Sequence, residues 1–199
     1  TPRAARVGRM SLMVSVSGVR GLIGQTLTPT LVTEFAQAYG TLLRGGRIVV
    51  ARDTRPSGEM FAAAATAGLL ASGCEVTQLG VAMTPTVGRA IISGRYDGGV
   101  SITASHNPPQ YNGMKMVRHE SRPISGDTGL YNIERRAFEK NWERSGSGTI
   151  VEQGIYRDFV EHLLRQVDLL KLRPLNIIAN AGNGAAGIAM EALMAHLPL

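Results

Sequence analysis

The stretch RIVVARDTRPSGEMFAAAATAGLLASGCEVTQL, residues 47–79, decides the fold. It opens with a short β-branched run at 47–51, which is typical of a strand. A polar loop follows, and then an alanine-rich helical pattern over 58–72 that a glycine ends. A second strand-like run occupies 75–79. This order of strand, helix and strand predicts an α/β protein.

Two threonine–proline pairs extend the same alternation to both sides of this stretch. Thr28 is placed to cap a helix whose first residue is Pro29, and glycines at 45 and 46 end that helix. Thr84 and Pro85 repeat the cap and the helical proline, which predicts a second helix that runs to about residue 94.

A polar loop separates the next two predicted strands, at 99–103 and 114–117. A helix is predicted at 130–144, and the run SGSG at 145–148 has the composition of a flexible linker. We therefore predict a domain boundary at residue 148.

The residues after this boundary contain only the beginning of a second unit. Apolar side chains at helical spacing over 155–170 predict a core-facing helix. A strand is predicted at 175–180, followed by the glycine turn 182–187 and a final helix. Because one strand and one helix cannot close a domain, we expect 1–148 to be a first domain and 149–199 the incomplete start of a second.

The charge balance bears on the kind of ligand that the protein binds. The 199 residues carry a net charge of +6, with 18 arginines and 3 lysines. Guanidinium groups pair well with phosphate and carboxylate oxygens, so an anionic ligand is one interpretation; a solvated basic surface explains most of the arginines equally well. A nucleic-acid partner is not expected, because aromatic residues are only 5% and the basic residues are scattered. Their one cluster, Arg3, Arg6 and Arg9, has the position of a frayed tail.

Cysteine and hydropathy indicate the compartment. Cys74 is the single cysteine, so no intrachain disulfide is possible. No apolar run is long enough to span a bilayer. The four histidines lack zinc-like spacing. These features predict a soluble, cytoplasmic protein without a membrane partner.

The loop TASHNPPQYNGMK, residues 103–115, holds the strongest candidates for chemistry. It follows a strand, and loops at the carboxyl ends of strands are where α/β sheets present reactive groups. Ser105 is a candidate nucleophile, and His106 could orient or hydrogen-bond a phosphate on it. Lys115 could neutralise charge during phosphoryl transfer, or exchange a proton. The residues alone do not identify the reaction.

The same loop resembles, over its whole length, the active-site serine loop of the α-D-phosphohexomutases. Two further segments agree in order and spacing: SGVRG at 17–21 is similar to the family's amino-terminal turn, and ARDTRPSG at 51–58 to the segment that supports the serine loop. The resemblance is closest to the phosphomannomutase/phosphoglucomutase branch. It implies a three-layer α/β/α first domain with a mixed sheet, followed by the incomplete start of a similar second domain.

The resemblance also implies a reaction and roles for particular residues. Ser105 would carry a phosphate and exchange it with a hexose phosphate through a bisphosphorylated sugar, which moves phosphate between C1 and C6. Arg20 and Lys115 would flank the transferred group, and His106 and Asn107 would contact the phosphoryl group or the sugar. A hexose 1,6-bisphosphate would act as the activator.

The resemblance implies one Mg²⁺ that coordinates an oxygen of the phosphate on Ser105. The family's other magnesium ligands lie in a clustered Asp-x-Asp-x-Asp loop of its second domain, which this sequence does not contain. We therefore expect the 199-residue chain alone to be inactive or nearly so. The identity of the hexose and the oligomeric state are not determined by the sequence.

Three alternatives remain open. Phosphoglucosamine mutase has similar serine-loop chemistry. The turn GNGAAG at 182–187 matches the G-x-G-x-x-G fingerprint of dinucleotide-binding proteins, which would require a preceding strand. A non-catalytic sugar-phosphate-binding module would also suit the arginine excess.

Overall fold

Seven strands form one mixed sheet in a computed structural model that describes residues 12–198. The strands are β1 (Met13–Ser15), β2 (Gly18–Leu22), β3 (Arg47–Arg52), β4 (Glu75–Val81), β5 (Gly98–Ile102), β6 (Tyr111–Arg118) and β7 (Thr149–Glu152). Their spatial order is β1-β2-β6-β5-β3-β4-β7. The predicted tail residues Arg3, Arg6 and Arg9 lie outside the described residues.

The sheet has a parallel half and an antiparallel half. Strand β3 pairs in parallel with β4 and β5, and β4 pairs in parallel with β7. Strands β1, β2, β6 and β5 pair with antiparallel neighbours at the other side. The predicted strand–helix–strand unit at 47–79 is therefore confirmed, with its two strands adjacent and parallel.

Helices cover both faces of this sheet. They are α1 (Pro29–Leu42), α2 (Gly58–Ala71), α3 (Thr84–Gly94), α4 (Tyr131–Glu139), α5 (Tyr156–Leu164) and α6 (Ala186–Met194). Along β3, Ile48 and Val50 face the core shared with α1, α2 and α4, whereas Val49 and Ala51 face the core that contains α3. Alternate residues of one strand thus enter two cores, which confirms the three-layer α/β/α arrangement.

The two threonine–proline pairs behave differently. Thr28 caps α1 as predicted, because its Oγ1 accepts a hydrogen bond from the Leu31 backbone N–H at 3.2 Å. Thr84 was predicted to cap α3, but it is the first residue of that helix, and Met83 is the extended residue before it. A proline at the second helical position is tolerated, because the first N–H groups of a helix lack an internal acceptor.

Helix α4 ends earlier than predicted. The pattern predicted a helix to residue 144, but Lys140 takes a left-handed conformation with φ of 54° and ends the helix after Glu139. The chain then turns toward α1, where the backbone N–H of Glu143 donates to Thr41 Oγ1 at 2.9 Å. Residues 141–144 therefore make a tertiary hydrogen bond to α1 and do not continue the helix.

The carboxyl-terminal segment departs from the predicted order of elements. Strand β7 pairs with β4, so the sheet continues for four residues beyond the predicted boundary at 148. The boundary itself stays a prediction. Residues 175–180 were predicted to form a strand, but they do not, and the Ile178 side chain is fully exposed. A strand requires a hydrogen-bonded neighbour, and none of the described residues pairs with this segment.

Candidate active site

The serine loop leaves the carboxyl end of β5 and returns as β6. Ser105 is exposed at the tip, with φ of 54°, in the left-handed region that non-glycine residues seldom adopt. Its backbone N–H donates to Thr103 Oγ1 at 3.0 Å. On the far side, the Asn107 side-chain amide donates to the Ala104 carbonyl at 2.8 Å. The loop therefore presents the serine hydroxyl to solvent on a locally bonded turn.

The hydroxyl of Ser105 has an imidazole as its immediate neighbour. Ser105 Oγ lies 3.0 Å from His106 Nδ1, and both side chains are exposed. In the tautomer with an unprotonated Nδ1, the imidazole accepts the serine proton; with Nδ1 protonated, it donates to the serine oxygen or to a group carried there. The structure thus brings together the serine and the histidine that the sequence singled out.

Arg55 holds this loop in place through both Nη atoms of its guanidinium group. Nη1 donates to the carbonyl oxygens of Pro108 and Tyr111, each at 3.0 Å. Nη2 donates to the carbonyl oxygens of Ser105 at 3.0 Å and Asn107 at 2.7 Å. One side chain from the loop after β3 therefore binds four backbone carbonyls of the serine loop.

Asp53 orients Arg55 from within the same short loop. Its Oδ1 accepts the Arg55 backbone N–H at 3.0 Å, and its Oδ2 lies 3.3 Å from Arg55 Nε. Asp53 is itself tied to β5, because its backbone N–H donates to the Ile102 carbonyl at 2.9 Å. The segment at 51–58 thus supports the serine loop through two named side chains.

A cleft of about 740 Å³ lies at the carboxyl ends of the parallel strands, and Ser105, His106 and Asn107 line it. Asn183 to Ala186 form another wall, and Thr54 Oγ1 donates across to the Asn183 carbonyl. The first residues of α3 and α6 also line this space. Helix amino termini carry partial positive charge, so the cleft favours an anionic group.

Arg20 and Lys115 lie on neighbouring strands rather than on the cleft lining. In the sheet register, Arg20 of β2 stands opposite Gly113 of β6, and Lys115 stands opposite Ser101 of β5. Both residues share the sheet face opposite the one to which Met114 belongs, because side chains alternate along β6. Within residues 12–198, Arg20 Nε is buried without a hydrogen-bond partner, so this guanidinium retains an unused donor.

The described residues do not complete a metal site. No group of three histidine, cysteine, aspartate or glutamate side chains among residues 12–198 is placed to hold an ion. Around Ser105 the nearest identified side-chain neighbour is an imidazole, whereas Mg²⁺ prefers carboxylate and phosphate oxygens. The predicted magnesium site therefore does not fit the protein groups of this stretch alone.

The glycine turn at 182–187 has a different place from that of a dinucleotide fingerprint. It precedes α6 as predicted, but the residues before it are not a strand. Its backbone instead forms a wall of the cleft that holds Ser105. The strand-to-helix context that the fingerprint requires is thus missing.

Sequence reasoning missed the individual roles of Arg55, Asp53 and Asn112. Asn112 is fully buried at the start of β6, where its amide donates to Ser57 Oγ and its Oδ1 accepts the Gly113 N–H, both at 2.8 Å. The asparagine within a strand pattern was a possible signal, because asparagine is uncommon there. The residues next to Arg55 in the sequence do not indicate that it binds four carbonyl groups, because these groups lie 50 or more residues further along the chain.

The family model for phosphoglucomutase/phosphomannomutase, alpha/beta/alpha domain I, matches residues 12–144. A phosphomannomutase of Escherichia coli is 40% identical over 177 residues, which cover 87% of this chain and 39% of that protein. A Xanthomonas campestris pv. campestris (strain B100) protein named phosphohexose mutases is 39% identical over 182 residues, with 90% and 40% of the two lengths covered. The chain thus spans about 40% of the length of these relatives.

A solved structure gives the same result in three dimensions. The X-ray structure of a phosphoglucomutase/phosphomannomutase family protein from Burkholderia thailandensis superposes with a TM-score of 0.81 and 33% sequence identity. The match covers 92% of this chain and 41% of the other. The family match at 12–144 therefore includes strands β1 to β6, the Arg55 loop and the serine loop together. The chain belongs to the phosphoglucomutase/phosphomannomutase family and contains its α/β/α domain I.

Proposed function

We propose that this chain supplies the phosphate-carrying serine of a phosphohexomutase of phosphomannomutase/phosphoglucomutase type. One observation carries the proposal: Ser105 is exposed in a cleft, 3.0 Å from His106, on a loop that four hydrogen bonds from Arg55 hold in place. Membership of the family supports a hexose phosphate as the substrate.

Ser105 exchanges a phosphoryl group with the sugar. The bond between phosphorus and Ser105 Oγ breaks as phosphorus bonds to a free hydroxyl oxygen of the hexose monophosphate. The proton that this hydroxyl loses is balanced by one that Ser105 Oγ gains, so the serine leaves as a hydroxyl. The bisphosphorylated sugar reorients, and its other phosphate returns to Ser105. A hexose 1,6-bisphosphate restores the phosphoserine when the intermediate is lost.

Arg20 and Lys115, on neighbouring strands, serve charge stabilisation and proton transfer. Lysine loses a proton more readily than arginine, so Lys115 exchanges the proton with the sugar and Arg20 offsets the charge of the phosphoryl group. His106 and Asn107 contact the phosphoryl group or the sugar from the loop itself, because both line the cleft.

The proposal includes one Mg²⁺ bound to the phosphate on Ser105, because phosphate oxygens suit a hard cation. When bound, the ion would withdraw charge from the phosphoryl group. Because the described residues do not complete its site, we assign no step to it.

Phosphate on Ser105 is the decisive test. Protein expressed from its complete reading frame is incubated with glucose 1,6-bisphosphate and Mg²⁺, then digested and mapped by mass spectrometry. We expect one phosphate on the peptide that contains Ser105 and none at that peptide in Ser105→Ala. An unmodified Ser105 peptide in the native protein, with or without phosphate elsewhere, contradicts the proposal.

The same protein tests the sugar. Mannose 1-phosphate, glucose 1-phosphate and glucosamine 1-phosphate are compared for conversion to the 6-phosphate. We expect kcat/KM to be greater for mannose or glucose phosphate. A preference for glucosamine phosphate would assign the chain to phosphoglucosamine mutase instead.

A further inference from the structure

The guanidinium group of Arg55 makes four hydrogen bonds and one ion pair within the protein. A guanidinium carries five N–H groups. Four of them donate to the carbonyl oxygens of Ser105, Asn107, Pro108 and Tyr111. The fifth, on Nε, faces Asp53 Oδ2 at 3.3 Å. No donor of Arg55 remains for a phosphate, although this arginine lines the cleft.

The acceptors of Arg55 are the carbonyl of the reactive residue and three carbonyls that follow it. Asn107, Pro108 and Tyr111 all come after Ser105, so one planar group joins Ser105 to the returning arm of the turn. Ser105 has φ of 54°, a conformation that an L-residue keeps only when its surroundings impose it. The bond from Nη2 to the Ser105 carbonyl acts on that peptide directly.

We infer that Arg55 is a positioning residue for Ser105, not a phosphate ligand, and that Asp53 sets its orientation. The inference rests on the proposed function only for its kinetic readout. The four hydrogen bonds to the loop require a planar group with two N–H donors on each of two nitrogen atoms. The ammonium group of lysine cannot replace it, because it has three donors on a single atom. Lysine at this position retains the positive charge and loses the clamp.

The two possible roles of Arg55 give opposite kinetic results. A phosphate ligand that binds substrate and transition state equally raises KM when it is removed, and leaves kcat nearly unchanged. A positioning residue lowers kcat, because a displacement of about 1 Å at the reacting atom reduces the rate by about 100-fold. Arg55→Lys separates these results without changing the net charge.

The experiment compares three variants of the protein expressed from its complete reading frame. Arg55→Lys removes the clamp, and Asp53→Asn removes only the carboxylate that orients it. Arg135→Lys is the matched control, because Arg135 makes one surface ion pair with Glu139 on α4. Each is measured for kcat and KM with a hexose phosphate, for phosphate on Ser105, and for amide hydrogen exchange.

Hydrogen exchange reports the clamp independently of the reaction. The Asn107 N–H donates to the Ala104 carbonyl and the Tyr111 N–H to the Pro108 carbonyl, both within the loop. We expect exchange at these two amides to be about tenfold faster or more in Arg55→Lys, with a smaller increase in Asp53→Asn. Arg135→Lys should match the native protein.

For kinetics, we expect Arg55→Lys to lower kcat by about 10- to 100-fold while KM changes by less than about threefold. If Arg55→Lys does not fold, Asp53→Asn carries the test, since Arg55 stays in place. The inference is overturned if both amides exchange at the native rate in the folded variants. It is also overturned if Arg55→Lys raises KM and leaves kcat unchanged. If native Ser105 is never phosphorylated, the proposed function fails, while the exchange result still decides whether the clamp exists.

Discussion

At the scale of single residues, a buried tyrosine of α1 packs directly on a glycine of the sheet. Tyr39 of α1 is fully buried, and its hydroxyl donates to the Val117 carbonyl at 2.7 Å. Burial raises the pKa of this phenol well above its ordinary value, so it remains a donor at any pH at which the protein is folded. Gly98 lies directly against this hydroxyl, where a Cβ atom would be 2.1 Å from it.

Tyr39→Phe should destabilise the fold without changing its shape. The variant keeps the buried ring and leaves the Val117 carbonyl without this donor, which costs about 1–2 kcal/mol. The free energy of unfolding from urea titration measures the effect. The control is Tyr131→Phe, because Tyr131 is 71% exposed and should change stability by less than about 0.5 kcal/mol. Equal stability of the two variants would contradict the role of the Tyr39 hydroxyl.

Gly113 is the third residue of β6, just after the serine loop enters this strand. A Cβ atom there would lie 2.6 Å from the Val19 carbonyl oxygen and 2.9 Å from that of Thr103. Gly113→Ala should therefore cost about 1–3 kcal/mol, because backbone on both sides would have to move. Thermal unfolding of Gly154→Ala is the comparison, since nothing lies within 4 Å of a Cβ at residue 154. A native melting temperature for Gly113→Ala would refute the argument.

At the scale of elements, a well-formed ion pair joins α5 to α3. Arg89 of α3 donates from Nε and Nη2 to the two carboxylate oxygens of Asp158, at 3.0 and 3.2 Å. These bonds hold the pKa of Asp158 below its ordinary 3.8, with smaller contributions from Ser93 and His162. A fork-to-carboxylate pair of this kind fixes the orientation of α5 as well as its distance.

The pH dependence of this pair has a definite sign. Because the folded protein lowers the pKa of Asp158, the carboxylate stabilises the fold above about pH 4, and this contribution is lost as the pH falls through the lowered pKa. We expect Asp158→Asn to cost up to about 1 kcal/mol at pH 6, since the side chain is 43% exposed.

Chemical denaturation of native protein and Asp158→Asn at pH 6 and pH 2.5 measures this difference. It should shrink at the lower pH, because pH 2.5 lies below the ordinary pKa of 3.8 and the stability that the lowered pKa provides is lost as the pH falls. An undiminished difference at pH 2.5 would show that the variant acts through packing and not through charge.

Elements with local signals were predictable, and elements that depend on distant partners were not. The threonine cap of α1 and the alanine-rich pattern of α2 carry their own information, and both helices form where the sequence places them. The strand at 175–180 was predicted from composition alone and lacks a partner to bond. Helix α4 ends early because Thr41, far away in sequence, binds the backbone of Glu143.

The candidate site was also predictable only where its signal is local in the sequence. The loop at 103–115 was found from its sequence because proline, asparagine and glycine mark the turn and the serine stands within it. The clamp by Arg55 depends on four carbonyl acceptors that the fold brings to it, and residue spacing does not reveal them. The resemblance to a family indicated which segment supports the loop, and the structure identifies the contacts.

At the scale of the whole molecule, the chain contains the serine loop on a seven-stranded sheet and spans about 40% of its relatives' length. None of the described helices is long and apolar enough to cross a membrane. Residues 12–198 also lack a cluster of metal-binding side chains.

We expect the 199-residue chain alone to have mutase activity at or below the detection limit of a coupled assay with a hexose 1,6-bisphosphate and Mg²⁺. Phosphoryl transfer depends on positioning and charge stabilisation around the phosphate, and the described residues supply only part of that. A relative that is complete in length, such as the Escherichia coli phosphomannomutase, serves as the positive control. Turnover by the chain at a comparable rate would show that these 199 residues suffice.

The unpaired segment at 175–180 has a practical consequence for handling the protein. Ile178 is fully exposed and Ile177 is 53% exposed, in a short apolar run with free backbone hydrogen-bonding groups. Such a run is a template for strand pairing between molecules, so the chain should scatter more light as its concentration rises. Ile178→Lys should suppress that scattering while leaving the unfolding midpoint unchanged, which makes it the variant of choice for concentrated samples.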